Sequence, residues 1–111
     1  MAIVRVGFRE LWVSDLERSL EFYQGLLGML LERREGRAAY LRGYEEREWS
    51  LKLREAPVAA VAAIGFKVDG EEGLEEALAW ARREGLPHRL EADWGRPRVL
   101  RVQDPFGYPL A

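Results

Sequence analysis

A chain of 111 residues and 12.8 kDa has enough material for one hydrophobic core and not for two. Charged residues at 32% beside hydrophobic ones at 48%, with a net charge of −2, describe an ordinary globular chain that has no overall positive field to gather nucleic acid or acidic lipid. There is no cysteine and one histidine, His88, which excludes disulfide frameworks, zinc fingers, thiol nucleophiles and any metal site that needs two imidazoles from one chain.

Ile3 to Val13 is rich in Val, Phe, Leu and Trp and reads as the first strand, stopping at Ser14, a good helix N-cap. The period then changes. Leu16, Leu20, Tyr23 and Leu27 fall on one helical face with Phe22 and Leu26 beside them, Glu17 completes a capping box with Ser14, and Gly25 and Gly28 mark the end. Met29 to Arg33, Ala38 to Arg42 and Trp49 to Arg54 read as a meander, separated by Glu35-Gly36 and by Gly43 to Glu48. After Ala56-Pro57, Val58 to Val68 predicts a second long strand, Asp69 and Glu72 repeat the cap relation, and Leu74, Leu78 and Ala81 form a helical stripe that ends at Gly85. His88 to Glu91, Arg98 to Gln103 and Tyr108 to Ala111 complete a second meander, with Asp104-Pro105-Phe106-Gly107 suited to a type I turn.

The order strand, helix, three strands therefore occurs twice, about 1–56 and 57–111, with the caps 55 residues apart. The expectation is an α+β fold of two tandem βαβββ units in one domain, their sheets combining into a curved, cupped surface that holds a ligand or packs on a partner. Fifteen of seventeen cations are Arg, and Asn, Thr and Cys are absent, as expected of a high-GC, thermophilic source. The start of the chain carries Arg5, Arg9 and Glu10 where a signal peptide would be apolar, and no apolar run approaches the ~20 residues that span a bilayer. A cytoplasmic location, with no membrane and no nucleic-acid partner, is the expectation.

Few residues carry chemistry by type and spacing. His88 reads as a loop histidine, Ser14, Ser19 and Ser50 lack a credible base, and the glycines form no phosphate-binding motif. Glu45-Glu46-Arg47-Glu48 and Glu71-Glu72 read as solvated faces. On the first strand Leu11 and Val13 should face the helix, which turns Phe8, Glu10 and Trp12 to the other side. A carboxylate among aromatics needs a cation, and Arg42 or Arg101 is the expected partner of Glu10. Tyr40, Trp49 and Trp94 read as added aromatic surface on that side, and an aromatic core or a subunit interface explains them equally well.

The duplicated order, the segment Val13-Ser14-Asp15-Leu16-Glu17-Arg18-Ser19-Leu20-Glu21-Phe22-Tyr23 with Leu27-Gly28, and the late Asp104-Pro105-Phe106-Gly107 together resemble the vicinal oxygen chelate superfamily, which includes glyoxalase I, bleomycin-resistance proteins and type I extradiol dioxygenases. Tyr40-Leu41-Arg42-Gly43-Tyr44-Glu45-Glu46, Ala56-Pro57-Val58-Ala59-Ala60 and Arg101-Val102-Gln103-Asp104-Pro105 further resemble the N-terminal domain of homoprotocatechuate 2,3-dioxygenases. In metal-binding members the resemblance implies two His and one Glu as a facial triad. The equivalent positions here are Phe8, Ala63 and Ala111, none of which can donate an electron pair.

The resemblance thus implies a duplicated, metal-free N-terminal domain with no catalytic residue of its own. Iron or manganese and ring cleavage are expected in a C-terminal domain that this chain lacks, since the chain stops three residues after Tyr108 opens a strand. Its expected partners are that domain or further copies in a homo-oligomer such as a dimer. The alternative is a stand-alone dimeric binder of the bleomycin-resistance type, with Glu10, Trp12, Tyr40 and Trp49 lining a cleft for a small aromatic ligand.

Overall fold

The computed structural model describes residues 3–68, 70–103 and 109–110. Its elements follow the βαβββ order twice: β1 (Ile3–Val13), α1 (Leu16–Leu20) continued by a π-helical segment (Glu21–Leu26), β2 (Leu30–Glu35), β3 (Ala38–Arg42), β4 (Leu51–Glu55), then β5 (Ala60–Val68), α2 (Gly70–Arg83), β6 (His88–Asp93), β7 (Arg96–Gln103) and β8 (Pro109–Leu110). The fold is α+β with a mixed sheet, as the periodicities predict. The expected cap at Asp69 and the turn Asp104 to Gly107 lie outside the described residues.

Two compact units make up the chain. One is Phe8–Ala62; the other joins the residues up to Gly7 to those from Ala63 onward. The strand β1 belongs to both, so the strand order is β2-β3-β4-β1 in the first unit and β1-β5-β8-β7-β6 in the second. Gly7 of β1 runs against Lys67 and Gly65 of β5, where a methyl group would meet backbone at 3.6 and 3.7 Å.

In the first unit β1 and β4 run parallel, with Leu11 beside Leu53, and β3 pairs antiparallel with β4, placing Ala39 beside Leu53 and Leu41 beside Leu51. This register lines up one face of three strands, and Leu16 and Leu20 of α1 close it into a core of Leu16, Leu20, Ala39, Leu41, Leu51 and Leu53, with Leu11, Val13, Tyr23 and Met29 packed around it. Burial of each large aliphatic side chain there contributes about 1.5–3 kcal/mol. As expected, Leu11 and Val13 point to the helix.

Three details of α1 differ from the sequence reading. The cap is Asp15, not Ser14: Asp15 is extended (φ −143°, ψ 101°) and its carboxylate accepts from Arg18 N at 3.2 Å. A carboxylate at this site also favours the positive end of the helix dipole, which a hydroxyl one residue earlier does not reach. Glu17, expected to reach back to the cap, instead pairs with Arg34 of β2. After Leu20 the helix widens, and Leu27 N donates to Phe22 O five residues back at 3.2 Å. That widening breaks the 3.6-residue period, so the apolar stripe leaves the core: Phe22, Leu26 and Leu27 are 47%, 73% and 55% exposed.

In the second unit α2 buries Gly73, Leu78 and Ala81, with Leu74 half-buried. It ends in a Schellman closure, Leu86 N to Ala81 O and Gly85 N to Arg82 O, with Gly85 at φ +67°. Glu71 is exposed, as expected of a solvated charge, and with Glu75 it pairs at the surface with Arg98 of β7 at 2.5 and 2.8 Å. The β6–β7 hairpin extends further than its apolar pattern suggests, to Asp93 and from Arg96, because Gly95 takes φ +70° and Asp93 accepts from Trp94 N.

Candidate functional site

The face of the first unit's sheet opposite the α1 core carries the residues singled out above. Alternation along β1 brings Phe8, Glu10 and Trp12 to it, and the register sets Glu10 beside Lys52 of β4, Lys52 beside Tyr40 of β3, and Trp12 beside Arg54. Glu10 and Lys52 are 8% and 6% exposed, and Lys52 Nζ lies 3.8 Å from Glu10 Oε1 and 5.1 Å from the centre of the Tyr40 ring. Of the two expected partners, Arg42 is engaged elsewhere. Arg42 pairs with Glu32, and Arg101 with Glu91 and Asp93. Lys52 was missed because only strand register, which the sequence does not state, places it opposite Glu10.

Trp49, expected at the start of β4, precedes it: β4 opens at Leu51, and Trp49 turns back over the face. Its ring centre lies 4.8 Å from that of Phe8, tilted at 56°, and 5.1 Å from that of Tyr40 in an edge arrangement. All three rings are buried. Of the four side chains expected to line a cleft, Glu10, Tyr40 and Trp49 therefore pack against one another's neighbours, and Trp12 alone is well exposed, at 43%.

The loop that carries Trp49 is built from the charge run read as solvated. Glu46 Oε1 accepts from Gly43 N and from Ser50 Oγ, both at 2.6 Å, and Arg42 Nη1 donates to the carbonyls of Gly43, Tyr44 and Glu46 at 3.2, 3.2 and 3.0 Å. A methyl group at Gly43 would come within 2.7 Å of Glu46 Oε1, so this position must leave its Cβ space to the carboxylate. Ser50 is thereby a loop-closing donor to a carboxylate, with no imidazole beside it. His88 sits exposed at the start of β6, its Nδ1 donating to Leu86 O at 2.8 Å.

Of the three positions equivalent to a facial triad, Phe8 is 5% exposed within the aromatic stack, Ala63 is 1% exposed on β5, and Ala111 lies outside the described residues. Neither described side chain has a lone pair to offer, and among the described residues no three His, Cys, Asp or Glu side chains gather. The side chains of Phe8 and Ala63 do not fit iron or manganese. Among the described residues no helix is long and apolar enough to cross a membrane.

The model of the Glyoxalase/Bleomycin resistance protein/Dioxygenase superfamily matches residues 3–111, and the chain belongs to that superfamily. Within it the chain is similar to ring-cleaving enzymes. It is 29% identical to the 3-methylcatechol 2,3-dioxygenase of Pseudomonas putida over 96% of its own length and 38% of that protein's. Among solved structures it superimposes on an extradiol ring-cleaving dioxygenase from Brevibacterium fuscum with a TM-score of 0.89 at 33% identity, covering 97% of this chain and 31% of the other. On the homoprotocatechuate 2,3-dioxygenase of Arthrobacter globiformis the TM-score is 0.91 at 35% identity, covering 97% and 35%. The chain thus spans about a third of the length of these relatives.

Proposed function

We propose that this chain is the metal-free N-terminal domain of an extradiol dioxygenase acting on catechol-type aromatics, and that it serves packing and assembly while a C-terminal domain holds iron or manganese and cleaves the ring. The observation that carries this reading is Phe8. The first-strand position that would supply a metal ligand holds a phenyl ring locked against Trp49, and its counterpart on β5 holds Ala63. A site with neither donor cannot be completed by one further group. Similarity to about a third of each dioxygenase supports the assignment to one domain of a larger enzyme. The exposed Phe22, Leu26, Leu27 and Leu31 suit a chain that packs on a further domain or copy, in a cytoplasmic homo-oligomer.

The stand-alone binder has less support, because three of the four side chains it would use for a cleft are buried. The test is titration of the purified chain with Fe(II), Mn(II) and Zn(II) by calorimetry, with oxygen uptake followed on a catechol substrate. No stoichiometric site and no uptake are expected. A one-to-one site of micromolar affinity, or oxygen consumption that depends on added metal, would overturn the reading.

A further inference from the structure

Trp49 is out of place by every local rule. It lies outside the strand that follows it, yet it is the most deeply buried tryptophan, 2% exposed against 43% for Trp12 and 44% for Trp80. Its position comes from the tertiary fold: the indole rests on Phe8 and Tyr40, on the sheet face that also holds the Glu10–Lys52 pair. Two rings, one tilted and one edge-on to the indole, a cation over one of them and a carboxylate beside the cation are the kind of lining that small-molecule sites use for aromatic ligands, apolar walls with a few placed polar groups. The segment that supplies the indole closes on itself. Glu46 ties Gly43 to Ser50, and Arg42 holds three carbonyls between them. Glu46 N further bonds Gly43 O at 3.2 Å and Ser50 N bonds Leu41 O at 2.9 Å, so the loop is a preformed holder and its tryptophan is delivered without further ordering.

We propose that residues 43–50 act as an internal ligand: Phe8, Tyr40, Lys52 and Glu10 form an aromatic-binding site that Trp49 occupies, and that accepts a free planar aromatic bearing an N–H or O–H donor when the indole is removed or its loop released. The site lies within the first compact unit and rests on that unit's geometry alone, independently of the domain assignment above. Its polar pair suits such a donor because the Glu10 carboxyl oxygens can accept from it. Intramolecular occupancy explains why the face is filled, since a tethered indole is present at an effective concentration that a free aromatic of the same chemistry does not reach.

The experiment uses 3-methylindole, the tryptophan side chain without its backbone. In Trp49→Gly, 3-methylindole should bind one to one by calorimetry and raise the melting temperature by several degrees, while the unaltered chain shows at least a tenfold weaker response. A folded Trp49→Gly that takes up no 3-methylindole overturns the proposal. Where Trp49→Gly does not fold unaided, Glu46→Ala decides, because it keeps the indole and cuts the holder. With 5-fluorotryptophan incorporated, the Trp49 resonance, assigned from Trp49→Phe, should move to an exposed position as unlabelled 3-methylindole is added, at a concentration at least tenfold below that needed in the unaltered chain. A resonance that stays put at saturating 3-methylindole in Glu46→Ala overturns the proposal equally.

Discussion

Glu10 and Lys52 face each other on neighbouring parallel strands with almost no solvent, the one charge pair of the first unit's described residues in which both partners are buried. Desolvating both ions costs several kcal/mol, which their attraction at 3.8 Å and the Tyr40 ring offset in part. Removing one partner should hurt more than removing both. Lys52→Met is expected to cost about 3–5 kcal/mol, whereas Glu10→Met with Lys52→Met should return most of that. Urea denaturation of the four proteins in the cycle measures it, and additive losses would show that the pair is not coupled. The need for a cation beside Glu10 was legible from strand alternation; the placement of Lys52 there, and not of Arg42, was not.

At the scale of elements, the two helix starts look alike in the sequence and only the backbone separates cap from neighbour. Asp15→Ala should cost about 1 kcal/mol and Ser14→Ala close to nothing, read as melting temperatures; the reverse order would restore Ser14 as the cap. The widening of α1 after Leu20 explains why Leu16 and Leu20 are buried in the core and Tyr23 only packs around it while Leu27 turns to solvent, since sequence patterns assume a constant 3.6-residue turn. On the β6–β7 hairpin, burial works to raise the Glu91 carboxyl, but the guanidiniums of Arg101 and Arg89 outweigh it and hold it below its ordinary value. The folded state therefore binds this proton less readily than the unfolded chain. Its contribution is full above the usual carboxylate range and disappears as pH falls through the lowered value. Melting temperature should drop less between pH 7 and pH 3 in Glu91→Gln than in the unaltered chain, and an equal drop would place the acid-sensitive carboxylates elsewhere.

At the scale of the whole molecule, the repeat seen in the sequence and the compact units seen in space divide the chain at different points. The first half of β1 belongs with the residues from Ala63 onward. A fragment of residues 57–111 retains the second repeat intact but lacks that strand, and at this length the remaining core is marginal. It should show no cooperative thermal transition by circular dichroism while the full chain does; a cooperative melt of the fragment would mean that β1 is dispensable to it. The sequence could not show this, because hydrogen bonds between strands far apart in the chain leave no periodic trace in either strand.

What the sequence determined by itself was whatever depends on local period and residue type. The double βαβββ order follows from alternation, helical stripes and glycine stops, and the lack of a ligand at Phe8 and Ala63 follows from side chains that carry no electron pair. The tertiary structure alone decided which charges meet and which ring fills the sheet face. Lys52 reaches Glu10 through parallel strand register, and Trp49 reaches Phe8 and Tyr40 through a loop that Glu46 and Arg42 close. Both depend on long-range placement, in which the free energy of a contact is set by neighbours distant in the chain.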